Sequence, residues 1–379
     1  IEAAISDADE AQAMNHNVAP SSANDRVHIN TNSWGPIDDA QRLETFGPLT
    51  EAAIQNGIAN GRGGLGTIYT WAAGNGRGSD DNVNYDGYAS SRYTIAVGAS
   101  GGNGTFSYYS EPGASMLVNT PSQDDFVGTT TTTWPSGYTS TFGGTSSAAP
   151  LAAGIIALIL EENPNLTWRD VQHILVRTST KNDPTNGGWF VNGAGFEFNH
   201  AYGFGRIDAK SAVGEASIWP GLPSEATPLS SSATVSTAIP DNDFTGITDS
   251  LDFSSVPANF KIEAVEVVFS AIHTFRGDLK VELTSPSGTT SILSDVHLDS
   301  GNDYLSWLFT SVAHWGEDPS GLWTLRVADL AGQDVGTWNG WSLTLHGTII
   351  NTVPTLGLST TTLSTDHTSG ALTFNVRND

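Results

Sequence analysis

Short apolar runs alternate with amphipathic stretches along the first 215 residues of the chain. Val27–Thr31 and Thr67–Ala73 are apolar runs of strand length, and they predict two buried strands. Between them, Pro48–Asn60 keeps its apolar residues on one side at helical spacing and predicts a helix. A strand, a helix and a second strand in this order predict parallel pairing with a right-handed crossover.

Two more helices are predicted further along the same region. Pro150–Glu162 is apolar on nearly every face, which predicts a buried helix, and Pro150 suits its first turn. Thr167 and Asp170 form the pattern of a capping box and mark the start of the next helix. Residues 1–215 therefore predict an α/β domain with a parallel sheet and helices on both faces.

The composition changes after residue 215. Residues 216–236 are rich in Pro, Ser, Thr and Ala and predict a linker. Residues 237–349 contain short strand-like runs with turn signals and no long helical pattern, which predicts an all-β sandwich or jelly roll. Residues 350–379 are rich in Thr and Ser with a strand-like end at Ala371–Val376, and they predict a tail or the start of another module. The strand-like runs of the β region are Phe260–Phe269, Leu279–Ser285, Thr290–Leu293, Leu322–Ala328 and Trp341–Gly347.

The length and charge of the chain narrow the classes of function. Its 379 residues allow two or three domains. Fifteen basic residues against 40 acidic ones leave a net charge of −25, which makes nucleic acid a poor partner. This charge favours cationic substrates or bound Ca²⁺, and the alternative is an acidic surface kept for solubility.

The chain contains no cysteine, so it has no disulfide framework, thiolate zinc site or cysteine nucleophile. It has no run of about 18 apolar residues, which predicts no membrane-spanning segment. It begins at Ile1 without a Met or a signal peptide, and this predicts a processed product or a fragment.

Two polar residues stand where catalytic groups are useful. Ser146, in the stretch Gly144–Pro150, lies at the start of a buried helix, where a nucleophile gains from the helix dipole and from backbone N–H groups. Asn75 follows a predicted strand, where its amide can donate to a developing oxyanion. The alternatives are a small turn residue at Ser146 and an Asn that supplies a left-handed turn before Gly76.

Carboxylates also follow the predicted strands, in the loops where α/β proteins place their sites. The residues concerned include Asp38, Asp81, Asp86 and Glu111. Clustered, they can hold Ca²⁺ or pair with an arginine or lysine of a substrate. The alternative is that they are solvated loop acids.

Together these motifs resemble the subtilisin-like serine proteases, and within them the kexin and furin branch of proprotein convertases. The resemblance implies a catalytic domain followed by a P domain over about residues 1–349. The matching stretches of the first domain are SWGPIDD at 33–39, GRGGLGTIYTWAAGNG at 61–76, NYDGY at 84–88, YSE at 109–111, GTSSAAPLAAGIIAL at 144–158 and NPNLTWRDVQH at 163–173. Those of the β region are HTFRGDL at 273–279, SPSG at 285–288 and GTWNGW at 336–341.

The resemblance implies a serine endopeptidase that cleaves after Arg or Lys through an acyl-enzyme. Ser146 would be the nucleophile and Asn75 the oxyanion amide. Asp38 and Asp86 would line the primary specificity pocket and pair with the basic side chain. Ser33-Trp34-Gly35 would pair through its backbone with an extended substrate.

The resemblance also implies a cofactor and further specificity. Asp38, Asp81 and Glu111 would bind a Ca²⁺ behind the pocket. Glu10 and Glu44 match acids that favour more basic residues upstream in the substrate. With the missing cysteines, which differ from animal convertases, the resemblance implies a secreted bacterial enzyme. A propeptide, chaperone or inhibitor would be a further partner.

The family's triad runs Asp, His, Ser along the chain, and its Asp and His motifs lie upstream of the segment that matches Ile1. His16 and His28 precede Asn75 but stand in segments where the family has no catalytic histidine. Three explanations are open: a nicked protease whose N-terminal segment stays bound, a fragment of an intact enzyme, or a catalytically dead protein that binds partners through its cleft and β domain. The retained Ser146 and Asn75 argue against the third.

Overall fold

A computed structural model describes residues 6–14, 27–124, 127–257 and 259–350 of the chain. His16, His367 and the predicted tail from Asn351 onward, with its strand-like end, lie outside the described residues. The first part of the described chain is built on a parallel sheet of four strands in the order β1-β2-β3-β4. The strands are β1 (Ile29–Asn32), β2 (Ile68–Ala72), β3 (Thr94–Ser100) and β4 (Met116–Pro121).

Helices cover both faces of this sheet, as the sequence predicts. Alternate residues of β2 face two separate cores, because Ile68 packs with one cluster while Tyr69 and Trp71 pack with the other. The predicted crossover helix between β1 and β2 spans Pro48–Asn60, and the capping box of Thr167 begins a helix at Trp168. The helices are α1 (Asp7–Met14), α2 (Pro48–Asn60), α3 (Thr145–Glu162), α4 (Trp168–Thr178) and α5 (Ala209–Ile218).

Helix α3 begins at Thr145, earlier than the predicted start at Pro150. The prediction that Pro150 occupies the first turn is therefore wrong, since this proline lies inside the helix. A proline there has no N–H to donate to the carbonyl four residues earlier, which belongs to Ser146. The Ser33 hydroxyl donates to that carbonyl instead, at 3.0 Å.

Among the described helices, α3 alone has the length and apolar composition to cross a membrane. In this structure α3 packs in the core of the first domain, where Ala152, Ile156 and Ile159 are completely buried. Its apolar composition is therefore that of a core helix.

The second part of the chain is a sandwich of two antiparallel sheets, ordered β10-β15-β12-β13 and β14-β11-β16-β9, which confirms the predicted all-β class. One hydrophobic core, which includes Phe269 and Leu283, lies between the sheets. The shorter strands that precede it pair as two hairpins: β5 (Thr129–Thr132) with β6 (Tyr138–Phe142), and β7 (Phe190–Val191) with β8 (Glu197–Phe198). The sandwich strands are β9 (Leu229–Ile239), β10 (Ile247–Asp252), β11 (Phe260–His273), β12 (Leu279–Thr284), β13 (Thr290–Ser294), β14 (Tyr304–Ser311), β15 (Leu322–Asp329) and β16 (Gly336–Ile349).

The segment predicted as a linker, 216–236, differs from the prediction at both ends. Helix α5 continues to Ile218, and Leu229–Ile239 is strand β9, which pairs antiparallel with β16. The strand was missed because Ser and Thr occupy most of its outward positions. Its alternate residues Leu229, Ala233 and Val235 pack against the sandwich core, and this period of two marks a half-buried strand.

Candidate active site

Ser146 lies in the first turn of α3 and is partly buried. The residue before the helix, Gly144, has a φ of 78°, and a Cβ there would approach within 3.2 Å of Asn75 Oδ1. The Ser146 Oγ donates a long hydrogen bond to the Ser33 carbonyl, at 3.5 Å. The Ser33 hydroxyl, directly after β1, donates in return to the Ser146 carbonyl. The two serines therefore hold the end of β1 against the start of α3.

Asn75 lies three residues beyond the end of β2 and joins this turn. Its Oδ1 accepts hydrogen bonds from the Thr145 N–H at 2.8 Å and from the Thr145 hydroxyl at 3.0 Å. Its Nδ2 donates to Asp38 Oδ2 at 3.2 Å. Because an N–H must face the amide oxygen, these partners set the orientation of the amide. One of its two N–H donors is directed to Asp38.

Three predicted carboxylates surround the loop that carries Asn75. Asp38 Oδ2 accepts from the Asn75 N–H at 3.0 Å, and Glu111 Oε1 accepts from the Gly76 N–H at 2.8 Å. Asp81 lies against the same loop, because a Cβ at Gly76 would come within 2.9 Å of its Oδ2, and this oxygen accepts from the Ala40 N–H at 2.9 Å. The structure thus brings Asp38, Asp81 and Glu111 to one loop, each hydrogen-bonded to the backbone.

The electrostatics of these acids reflect crowding of like charges. Burial, with Asp38 and Asp39 nearby, raises the pKa of Asp81 to about 6. Burial, followed by Asp81 and Asp38, raises the pKa of Glu111 well above its ordinary value. No Lys or Arg in the described ranges forms an ion pair with Asp81 or Glu111. In this structure, no three carboxylate or histidine side chains among the described residues lie close enough together to hold a metal ion.

Asp86 lies at the end of a short 3-10 turn, Val83–Tyr85. Its Oδ1 accepts from the N–H groups of Tyr88 at 2.7 Å and Ala89 at 3.2 Å. Its Oδ2 faces Gly35, where a Cβ would come within 3.0 Å. Burial raises the pKa of Asp86 to about 8, against the lowering effect of those two backbone bonds. The structure therefore places Asp86 beside the Ser33-Trp34-Gly35 segment.

Tyr88 connects the remaining predicted residues. Its hydroxyl donates to Glu10 Oε2 at 3.0 Å, and its ring packs edge-on against Trp34 at 5.3 Å. Burial raises the pKa of Tyr88, and the charges of Glu10, Glu44 and Asp86 raise it further. All three acids therefore lie around one phenol. Tyr88 has no predicted role from the sequence, although it belongs to the NYDGY motif.

No histidine among the described residues hydrogen-bonds Ser146, whose Oγ has the Ser33 carbonyl as its partner. Among the described histidines, His346 stands in a His-Gly-Thr sequence with Gly347 and Thr348. It lies in β16 of the sandwich, and its Nε2 is 2.8 Å from Glu266 Oε2. The described histidines are His28, His173, His200, His273, His297, His314 and His346.

Comparison with known families agrees with this architecture. A model of the subtilase family matches residues 2–205, and a model of the proprotein convertase P-domain matches residues 262–345. The first match covers more than half of the chain, and the chain belongs to the subtilase family. The predicted fold class, a subtilisin-like domain followed by a P domain, is confirmed.

The relatives among characterised proteins include proprotein convertases. A PC3-like endoprotease variant B of Hydra vulgaris is 41% identical over 324 residues, which covers 82% of this chain and 45% of the relative. Proprotein convertase subtilisin/kexin type 5 of Rattus norvegicus is 38% identical over 359 residues, which covers 91% of this chain and 20% of the relative. These matches support the kexin and furin branch, and the chain spans less than half the length of either relative.

Among solved structures, the serine protease of Aeromonas sobria in complex with its chaperone superposes with a TM-score of 0.78. The match covers 92% of this chain and 75% of that chain. Because the identity is only 22%, it supports the fold alone. The convertase relatives named above are animal proteins and give no support to the bacterial origin predicted from the missing cysteines.

Proposed function

We propose that this chain carries the nucleophile and the specificity acids of a secreted serine endopeptidase that cleaves peptide bonds after Arg or Lys. The observation that carries the proposal is the meeting of three elements at one point. Ser146 begins a buried helix, the Asn75 amide binds the same turn, and the Asp38 carboxylate binds Asn75. Convertase relatives at about 40% identity support the same reaction class.

In the proposed reaction, Ser146 Oγ attacks the carbonyl carbon of the scissile peptide and loses its proton to a base. The remaining N–H of the Asn75 amide donates to the oxyanion that forms. When the C–N bond breaks, the leaving amine takes the proton, and the acyl group stays on Ser146. Water then attacks the ester and releases the acid and free Ser146.

The charge around the site supports a basic side chain in the substrate. Asp86 and Asp38 would face the Arg or Lys that precedes the cleaved bond. Burial disfavours the ionised form of Asp86, and the bound cation would stabilise that form. Glu10 and Glu44, which lie around Tyr88, would favour further basic residues upstream. The backbone of Ser33-Trp34-Gly35 would pair with the substrate as an added strand.

Calcium is the cofactor that we propose for Asp38, Asp81 and Glu111. Three carboxylates supply the oxygen ligands that Ca²⁺ prefers, and the raised pKa of Asp81 and Glu111 marks a site that gains from a cation. The carboxylates would have to turn from their backbone partners to converge. A bound Ca²⁺ would neutralise them and stiffen the loop of Asn75.

We propose that an N-terminal segment outside this sequence supplies the triad Asp and His. Strand β1 lies at the edge of the parallel sheet, next to the Ser33–Ser146 contact. An edge strand offers backbone groups for pairing with a further strand. A segment bound there would lie beside the Ser33–Ser146 contact. A propeptide, chaperone or inhibitor would be an additional partner.

The competing function is a catalytically dead binding protein, which the lack of a described histidine partner for Ser146 favours. Labelling with a fluorophosphonate separates the two, because it requires an activated serine. We expect the protease assembled with its N-terminal segment to be labelled at Ser146, and its Ser146→Ala variant to stay unlabelled. Absence of labelling in the assembled protease would refute the protease proposal.

A further inference from the structure

The turn that leads into Asp86 is enclosed by the P domain. Asn84, in the middle of the turn, is completely buried. Its Nδ2 donates to the Leu293 carbonyl at 3.3 Å, and its Oδ1 accepts from the Thr310 N–H at 3.1 Å. The Asn84 carbonyl accepts from Trp307 Nε1 at 3.0 Å. Strands β13 and β14 therefore supply the partners of both the side chain and the carbonyl of this residue.

Tyr85, directly before Asp86, is inserted into the P domain. Its ring stacks on His297 at 4.2 Å, and it belongs to the hydrophobic core of the sandwich. Its hydroxyl donates to the Asp295 carbonyl at 3.0 Å, accepts from the Asp295 N–H at 3.2 Å and lies 3.0 Å from Ser294 Oγ. Every polar contact of this hydroxyl is thus made with the second domain.

The other contacts of the turn come from the first domain. The Glu44 N–H donates to the Tyr85 carbonyl at 3.1 Å, and the Gly87 N–H donates to the Glu44 carbonyl at 2.8 Å. These bonds involve only backbone groups of an exposed segment. Val83 packs in the core of the first domain, and Asn82 Oδ1 accepts from the Asn84 N–H at 3.0 Å. The side-chain hydrogen bonds of Asn84 and Tyr85, by contrast, all go to the sandwich, and Tyr85 lies one residue before the carboxylate that faces Gly35.

We infer that the P domain is a structural part of the specificity pocket, with Asn84 and Tyr85 as positioning residues that hold Asp86 in place. The inference rests on the proposed function, because it assumes that Asp86 receives the basic side chain. Loss of the contacts of Tyr85 would let the turn shift, and a shift of the carboxylate would weaken binding of a cation while the rest of the fold persisted.

The test is binding of 4-aminobenzamidine, whose amidinium mimics an arginine side chain, to the 379-residue chain by fluorescence titration. Tyr85→Phe removes the hydroxyl and keeps the ring. We expect it to weaken binding about tenfold, the effect of losing one or two buried hydrogen bonds. The probe needs no triad, so the measurement is independent of catalysis.

Tyr304→Phe is the matched control. The Tyr304 hydroxyl lies 3.1 Å from Ser294 Oγ in the same buried network and makes no described hydrogen bond with residues 83–86. It should reduce thermal stability without changing the affinity for the probe by more than about twofold. Equal affinities of Tyr85→Phe and Tyr304→Phe would overturn the inference, because the hydroxyl of Tyr85 would then contribute to stability alone.

Two further variants keep the test decisive. If Tyr85→Phe does not fold, Trp307→Phe removes the donor to the Asn84 carbonyl from the P-domain side. We expect Trp307→Phe also to weaken binding of 4-aminobenzamidine, and wild-type affinity would overturn the inference. Asp86→Asn should abolish binding. If it binds as tightly as the wild type, or if the wild type does not bind, the proposed pocket itself is wrong.

Discussion

The buried ion pair between the two domains should contribute several kcal/mol to the stability of the chain. Glu263 of β11 accepts from Arg169 Nε of α4 at 2.7 Å and from a second nitrogen of the same guanidinium. His173 Nε2 lies 3.2 Å from the same carboxylate. Glu263 and Arg169 are 3% and 6% exposed, so solvent screens their attraction little. The informative perturbation is Glu263→Gln, which removes the charge and keeps the shape.

The magnitude follows from the surroundings of Glu263. Burial alone would raise its pKa, but His173 and Arg169 lower it from 4.5 to about 2. A fall of this size corresponds to about 3 kcal/mol of stability at neutral pH. Breaking a buried pair by removing one partner costs about 3–5 kcal/mol in general, because the other charge is left uncompensated. The two routes agree at the lower end, about 3 kcal/mol for Glu263→Gln.

The assay is thermal and urea unfolding at pH 7 and low salt. A loss of about 3 kcal/mol should lower Tm by roughly 4 °C for a chain of this size. The control is Glu197→Gln, which breaks the surface pair of Glu197 with Lys181 at 2.8 Å, where the side chains are 45% and 29% exposed. Surface pairs contribute about 0–1 kcal/mol. Equal losses in the two variants would refute the reasoning from burial.

The pH dependence gives an independent check of the sign. The pKa of Glu263 is lower in the folded state than in the unfolded chain, so its contribution is fully present above about pH 4.5. The contribution falls between about pH 4.5 and pH 2, as the carboxylate becomes protonated. Stability of the wild type should therefore approach that of Glu263→Gln over this range. A constant difference in stability between the wild type and Glu263→Gln over this pH range would contradict the assignment.

Three more predictions concern the site. In the assembled protease, Asp86→Asn should lower kcat/KM for substrates with Arg before the cleaved bond at least about 30-fold more than for neutral ones, and equal losses would contradict the pocket. Saturating Ca²⁺ should stabilise the wild type by about 3 kcal/mol over chelated protein. Glu111→Gln should lose most of this gain, and a Tm that chelator leaves unmoved would exclude the calcium site. In the assembled protease, Ser33→Ala should slow fluorophosphonate labelling of Ser146 about 3- to 10-fold. Adding Pro150→Ala, which restores an N–H donor to the same carbonyl, should recover part of the rate, and no recovery would count against that role.

The local elements of the site are predictable from the sequence because each depends on short-range chemistry. The small residues around Asn75, the helix that starts near Ser146 and the capping box of Thr167 all leave signals within a few residues. Elements whose local sequence signal is weak were predicted wrongly. Strand β9 is one case, since its Ser and Thr face solvent and only its pairing with β16 orders it. Pro150 is another, because Ser33 satisfies the carbonyl that a proline leaves without a donor.

By itself the sequence determined the order of the two domains, the turn that carries Ser146, and the acids in the loops after the strands. These follow from periodicity, turn chemistry and motif spacing, which act over a few residues. Only the tertiary structure decided which distant groups meet. It set Glu10, Glu44 and Asp86 around Tyr88, and it put Tyr85 into the core of the P domain. Contacts between residues more than 200 positions apart depend on how both domains pack, and no local pattern encodes them.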